Sequence, residues 1–279
     1  VGQYKVAGVQ MDVAFGEKAA NLQRMLDAVE LSAAAGADLV VFPECALTGY
    51  CFTSADEAFP FTEPADGPSA AAFREVCRAR GVHAIYGMLE KDGDRLFNAV
   101  LLIGPDGLVA TYRKIHLPFL GIDRFATPGD RPFDVHPAGA CRVGMHICYD
   151  GGFPESARCM ALDGADLIAL PTNWPPPAMR VSEYVLNTRA MENNVYYMAV
   201  DRVGVERGVE FIGRSRICAP NGSILDDAPH DQETVLYADI DVEWARRKKI
   251  VHVPGEHEVD RFGHRRPEMY GRISQPKDE

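Results

Sequence analysis

No apolar run in this chain approaches the roughly 18 to 20 residues needed to cross a bilayer. Val1 to Met11 lacks a basic region followed by an apolar one and a small-residue cleavage site, so the expected compartment is the cytoplasm. Basic charge is also scarce. Lys and Arg number 29 against 40 Asp and Glu, for a net charge of −11, a balance that repels phosphate backbones and anionic lipid surfaces. Nucleic acid and membranes are therefore not expected partners. The 7 cysteines are an odd number with no Cys-x-x-Cys pair, which fits reduced thiols better than a disulfide framework. No Gly-x-x-x-x-Gly-Lys, Gly-x-Gly-x-x-Gly or Gly-x-Ser-x-Gly motif occurs, so phosphate loops, dinucleotide sites and the serine nucleophile turn have no support. His252, His257 and His264 are spaced unlike any zinc site. No metal and no cofactor is expected.

What is present is an ordinary globular composition, 47% apolar and 25% charged. A chain of this mass should expose about 12,000 Å² folded against about 44,000 Å² unfolded, enough burial for one large domain. No linker splits it, so residues 1–279 read as a single domain whose basic tail, 246–279, is an extended arm. Short β-rich runs alternate with helical stretches, the pattern of a layered α/β protein. Val6 to Met11 is a strand. Leu22, Met25, Leu26, Val29 and Ala33 stripe a helix closed by Gly36. Ala37 to Phe42 is apolar almost throughout, as suits a strand buried on both faces. Ser69 to Arg80 reads as a second helix; Val82 to Leu89, Leu96 to Ile103 and Leu108 to Ile115 read as antiparallel strands. Arg142 to Ile147, a helix from about Pro154 to Leu162, Leu167 to Leu170 and a long helix from about Met179 to Asn194 look like a second copy of the first half. Val195 to Val200, Phe211 to Cys218, Ser223 to Leu225 and Thr234 to Asp239 supply further strands.

Glu44, Lys114 and Cys148 each stand at or just beyond the C-terminal end of such a strand, where open α/β sheets gather their ligand sites. Taken singly, each has a plainer explanation: a helix cap or ion-pair partner, a solvated lysine, an inert buried thiol. A Cys-His hydrolase is a competing arrangement, with His146 two residues from Cys148 on the same strand face, or His116, as the base.

The blocks Phe42-Pro43-Glu44, Tyr112-Arg113-Lys114, Cys148-Tyr149-Asp150 and Phe153-Pro154-Glu155 resemble the nitrilase superfamily of carbon–nitrogen hydrolases. Thr127-Pro128-Gly129-Asp130, Pro171-Thr172-Asn173-Trp174-Pro175, Gly213-Arg214-Ser215 and Arg266-Pro267-Glu268-Met269-Tyr270 extend the resemblance from Val6 to Tyr270. It implies a four-layer α-β-β-α sandwich, a metal-free Glu44-Lys114-Cys148 triad, and a homodimer or higher homo-oligomer.

The implied reaction is hydrolysis of a small-molecule amide or ureido (N-carbamoyl) group through a Cys148 thioester, releasing ammonia or an amine. Nitrile hydrolysis, or an inactive interaction module of the same fold, are the alternatives. A thiol near its free pKa is mostly protonated at neutral pH, so a base must take the proton. That falls to Glu44, with Lys114 and the backbone N–H of Tyr149 holding the oxyanion. Many family members carry a second glutamate beyond the lysine, where this chain offers only Asp123. Asp201 replaces an asparagine often found after the strand Val195 to Val200. Asn173 and Trp174 are expected to shape the pocket wall, although Trp174 suits a core position equally well. If Asp123 and Asp201 line the pocket, they favour a cationic substrate.

Overall fold

A computed structural model describes residues 4–275. The first half runs β1 (Tyr4–Gln10), α1 (Lys18–Ala34), β2 (Leu39–Val41), the single turn α2 (Ala55–Ala58), α3 (Pro68–Arg80), β3 (His83–Asp92), β4 (Arg95–Gly104) and β5 (Gly107–Arg113). The second runs β6 (Val135–Ala138), β7 (Cys141–Met145), α4 (Pro154–Leu162), β8 (Leu167–Pro171), α5 (Leu186–Asn193) and β9 (Tyr196–Val200). A small hairpin, β10 (Val205–Glu206) with β11 (Val209–Glu210), precedes β12 (Arg216–Cys218), β13 (Ile224–Asp227), β14 (Thr234–Ile240) and the short helix α6 (Val242–Arg246).

Two six-stranded sheets result, in the orders β14-β1-β2-β3-β4-β5 and β13-β12-β9-β8-β7-β6. Each is built around three adjacent parallel strands, β1, β2 and β3 in one and β7, β8 and β9 in the other, with antiparallel strands on both sides. The repeat suspected from the order of elements is thus visible in the topology.

Strand alternation sorts the side chains into three packed layers. Val6, Leu39, Val41 and Ile85 point inward and meet Val143, Met145, Leu167, Ala169 and Met198 of the other sheet. Their neighbours Ala7, Val40, Ala84 and Tyr86 point outward under Met25 and Val29 of α1 and Phe73, Val76 and Cys77 of α3. On the far side Ile168, Leu170, Tyr197 and Ala199 are covered by Ala157 and Met160 of α4 and Leu186 and Ala190 of α5. The layering is α-β-β-α. Full burial of a Val, Leu or Ile contributes about 1.5–3 kcal/mol, so β2, apolar on both faces, is stabilised from two cores at once.

Two elements differ from expectation. The long helix at Met179 to Asn194 begins with a wide π-helical turn, Val181–Val185, before α5; Ser182 Oγ donates to the Met179 carbonyl at 2.8 Å, a local side-chain bond of the kind that bends helices. The strand anticipated over Phe211 to Cys218 is shortened to β12 because Gly213 and Arg214 take φ of 59° and 60°, which no extended strand accommodates. Beyond α6 the tail folds as a hairpin, β15 (Lys249–Val253) with β16 (His257–Asp260), followed by two 3-10 turns at Pro267–Met269 and Gly271–Ser274. Among the described residues no helix is long and apolar enough to cross a membrane.

Candidate active site

The first sheet delivers two of the three strand-end residues. Past β2, Phe42 N donates to the Ile85 carbonyl at 2.8 Å and Gly87 N to that of Pro43 at 3.2 Å, which holds the Glu44 turn against β3. A Cβ at Gly87 would sit 2.3 Å from Cys45 N and 2.5 Å from the Pro43 carbonyl; only glycine permits this approach. Past β5, Lys114 N donates to the Asn98 carbonyl and accepts, through its own carbonyl, the Gly129 N–H, each at 2.8 Å. Gly129 also lacks room for a side chain, whose Cβ would lie 2.1 Å from the Arg113 carbonyl, and this gives the Thr127–Asp130 block a steric reason. Buried Arg113 clamps Glu90 with bonds of 2.6 and 2.8 Å while lying over Phe97. Lys114 is thereby fixed from both sides.

The second sheet delivers Cys148. After β7 the chain passes His146 and Ile147 into the 3-10 turn Cys148–Gly152. Asp150 pins this turn to the other sheet, accepting from Ile147 N at 3.0 Å, His116 N at 3.0 Å and Tyr112 OH at 2.7 Å. Cys45 and Cys148 have φ of 48° and 46°, left-handed backbone that non-glycine residues adopt rarely and that gathers at functional sites.

These segments bring together a buried polar network. Lys114 Nζ donates to Glu44 Oε1 at 2.7 Å and to Asp123 Oδ2 at 2.6 Å. Asn98 Nδ2 reaches the same Glu44 oxygen at 2.7 Å and Asp123 Oδ1 at 2.8 Å, and Tyr50 OH donates to Asp123 Oδ2 at 2.7 Å. Glu44 and Lys114 are wholly buried; Cys148 is half-buried beside them. Glu44 Oε2 has no hydrogen-bond partner. Burial pushes the Glu44 carboxyl above its ordinary pKa, opposed by the Lys114 charge. Burial disfavours the Lys114 ammonium too, but Asp123 and Glu44 outweigh it and raise its pKa well above the usual lysine value. Burial and then the Glu44 charge push the Cys148 thiol up, against the pull of Lys114. These influences favour the protonated sulfur.

The structure therefore brings Glu44, Lys114, Cys148 and Asp123 to one place, and the shorter Asp123 reaches Lys114 from the 3-10 turn Gly121–Arg124. Tyr149 follows Cys148 within its turn, with a half-exposed ring edge-on to Phe153. The Asn173 side chain is buried with neither amide atom partnered, and its backbone lies against the Cys148 thiol. Trp174 packs in the outer core with Leu170, Leu186 and Ile212, the packing alternative for that residue. Asp201 accepts from Trp174 N and Arg202 N at 2.9 Å each.

Three alternatives weighed from the sequence are disfavoured by this geometry. His146 is not a base for Cys148: its Nδ1 lies 3.0 Å from Ser156 Oγ and its Nε2 2.7 Å from Tyr197 OH, and burial lowers its pKa to about 4. His116 is bonded to Asp150 at 2.7 Å and stacked on Phe153. His146→Phe should therefore retain turnover within about tenfold of wild type, with the loss of buried hydrogen bonds showing mainly as a lower unfolding midpoint; parallel activity and denaturant measurements check this. Asp123 and Asp201, third, do not form a cation-attracting pair. Both Asp123 oxygens are taken by Lys114, Tyr50 and Asn98, and burial raises the Asp201 pKa well above the carboxylate range, favouring its neutral form.

Sequence reading missed Tyr50 and Asn98. Asn98 left a trace, as a lone amide in the apolar run Leu96 to Ile103; Tyr50, in a loop among other apolar residues, left none.

Comparison with known proteins agrees with the layering. The carbon–nitrogen hydrolase family model matches residues 5–249, and the chain belongs to that family, within the nitrilase superfamily. It is 40% identical to a nitrilase from Pyrococcus abyssi, over 96% of this chain and 99% of that one, and 33% identical to an (R)-stereoselective amidase from a Pseudomonas species, over 88% of each. An amidase structure from a Nesterenkonia species superposes with a TM-score of 0.79 at 22% identity, covering 97% of this chain and 96% of that one. The protein is accordingly a carbon–nitrogen hydrolase.

Proposed function

We propose that this chain hydrolyses small linear carboxamides through a Cys148 thioester, with Glu44 as the shuttling acid and base and Lys114 as the oxyanion donor. The observation that supports this most is the unpartnered Glu44 Oε2, in a carboxyl whose other oxygen is already saturated, close enough for its charge to act on the Cys148 thiol.

In the first half-reaction the Sγ proton passes to Glu44 while sulfur bonds to the carbonyl carbon and the π pair moves onto oxygen. That oxyanion is met by Lys114 Nζ and the Tyr149 N–H, which stands at the start of a 3-10 turn where backbone donors lack partners within the turn. The intermediate collapses, the C–N bond breaks, and Glu44 returns the proton so that nitrogen leaves as ammonia. Water then attacks the thioester, giving its proton to Glu44; the C–S bond breaks, the acid departs, and sulfur regains the proton. Asp123 keeps Lys114 charged throughout.

Similarity to relatives named nitrilase and to others named amidase makes substrate class the point to test. Ammonia release should be measured from carboxamides, N-carbamoyl amines, N-carbamoyl amino acids and nitriles. Carboxamides are expected to turn over fastest. Activity confined to nitriles, or ammonia from none of the panel, would overturn the reading.

A further inference from the structure

We propose that Asn98 is a positioning residue for the hydrolysis, its side-chain amide bridging Glu44 and Asp123 so that Glu44 presents Oε2, and no other oxygen, to the sulfur. The inference rests on the reading of Glu44 as the base.

Asn98 sits in the middle of β4, buried to 1% exposure. Its Nδ2 spends one hydrogen on Glu44 Oε1 at 2.7 Å and the other on Asp123 Oδ1 at 2.8 Å, and its Oδ1 accepts from the Cys45 thiol at 3.5 Å. The amide orientation is fixed by chemistry, since the flipped arrangement would face a carbonyl oxygen with two carboxylate oxygens. Through its backbone carbonyl the same residue holds Lys114 N. One side chain and its peptide thus locate the base, the cation and the second carboxylate together.

With Lys114 Nζ and Asn98 Nδ2 both on Oε1, the Glu44 carboxylate cannot rotate without giving up two charge-assisted bonds. Oε2 is left as the basic oxygen. Removing the amide would let a rotated Glu44 offer Oε2 to Lys114, and would leave the shared ammonium to hold Glu44 without a second side-chain donor. The ionisable groups surrounding Glu44 are Lys114, Asp123, Cys45, Tyr50, Cys148 and Asp201. Lys114 alone among them is cationic, so the neutral donor at Asn98 matters to the balance. A hydrogen bond to the charged form of an acid lowers its pKa, and its loss raises it.

The test compares kcat and KM across pH for wild type, Asn98→Ala and Asn98→Ser on one simple carboxamide, with unfolding midpoints as a control. Expected for both variants is a kcat lower by about 10- to 100-fold, KM within about threefold, and an acidic limb of kcat/KM moved up by about one pH unit. A merely structural role would lower the unfolding midpoint and leave that limb in place. An unmoved limb with wild-type kcat overturns the proposal, and so does a loss beyond about 10⁴-fold, which would assign Asn98 to bond-making itself. Glu44→Gln separates the two readings: activity there removes the base assignment, whereas an inactive Glu44→Gln beside an unshifted Asn98→Ala removes only the positioning role. If neither Asn98 variant folds, the wild-type side-chain amide protons decide. Downfield ¹⁵N-coupled signals that titrate along the acidic limb support the bridge, and signals indifferent to it overturn it.

Discussion

Glu44→Gln should lower turnover by about 10⁴-fold while leaving the chain folded. The substitution keeps the volume of a wholly buried side chain and leaves an amide oxygen able to accept from Lys114 and Asn98 as Oε1 does now. What changes is the other atom. An NH₂ replaces the unpartnered Oε2 and cannot accept the thiol proton, which burial still favours on the sulfur. Residues acting as one catalytic unit cost several orders of magnitude when any is lost. The wild-type acidic limb carries the same information. Burial raises the Glu44 pKa, its base function requires the ionised form, and activity should therefore fall with decreasing pH through a value above the ordinary carboxylate range. A steady-state assay beside a denaturant midpoint makes the check, and turnover near wild type in Glu44→Gln would sink the assignment.

Lys114→Met is expected to be the most damaging change to stability in the site, about 3–5 kcal/mol, together with loss of turnover. The ammonium is wholly buried and bonded to two carboxylates, each of which it compensates. Its removal leaves Glu44 and Asp123 facing one another across Asn98, with only neutral donors to share between them. Denaturant midpoints for Lys114→Met, Glu44→Gln and the double variant form a cycle. The double variant should be more stable than Lys114→Met, because removing one carboxylate relieves the charge that the lost lysine exposed. Additive costs would mean that these groups do not act on one another.

The alternation of Val6, Leu39, Val41 and their outward neighbours was readable from the chain because strand period and burial are local properties. So were the strand ends at Glu44, Lys114 and Cys148. Asp123 could be named but not placed, since its reach to Lys114 depends on a 3-10 turn that nothing in Gly121 to Phe125 announces. Asn98 was hidden for a different reason: its two partners lie 54 and 25 residues away, and a single polar residue in a strand looks the same whether it faces water or two acids. His146 was weighed as a base on its proximity to Cys148 in sequence, yet Ser156 and Tyr197, distant along the chain, occupy both of its nitrogens. The short β12 and the π-helical turn before α5 likewise follow from backbone conformations at single residues, which period does not report.

The acid and ammonium arrive from one sheet and the sulfur from the other. On the proposed mechanism, bond-making is then a property of a seam, and alignment between two stacked halves becomes part of the chemistry. A methylene added or deleted at Ile85 or Met198, in the filling between the sheets, is expected to disturb that alignment. Turnover on such variants is then expected to fall along with their unfolding midpoints.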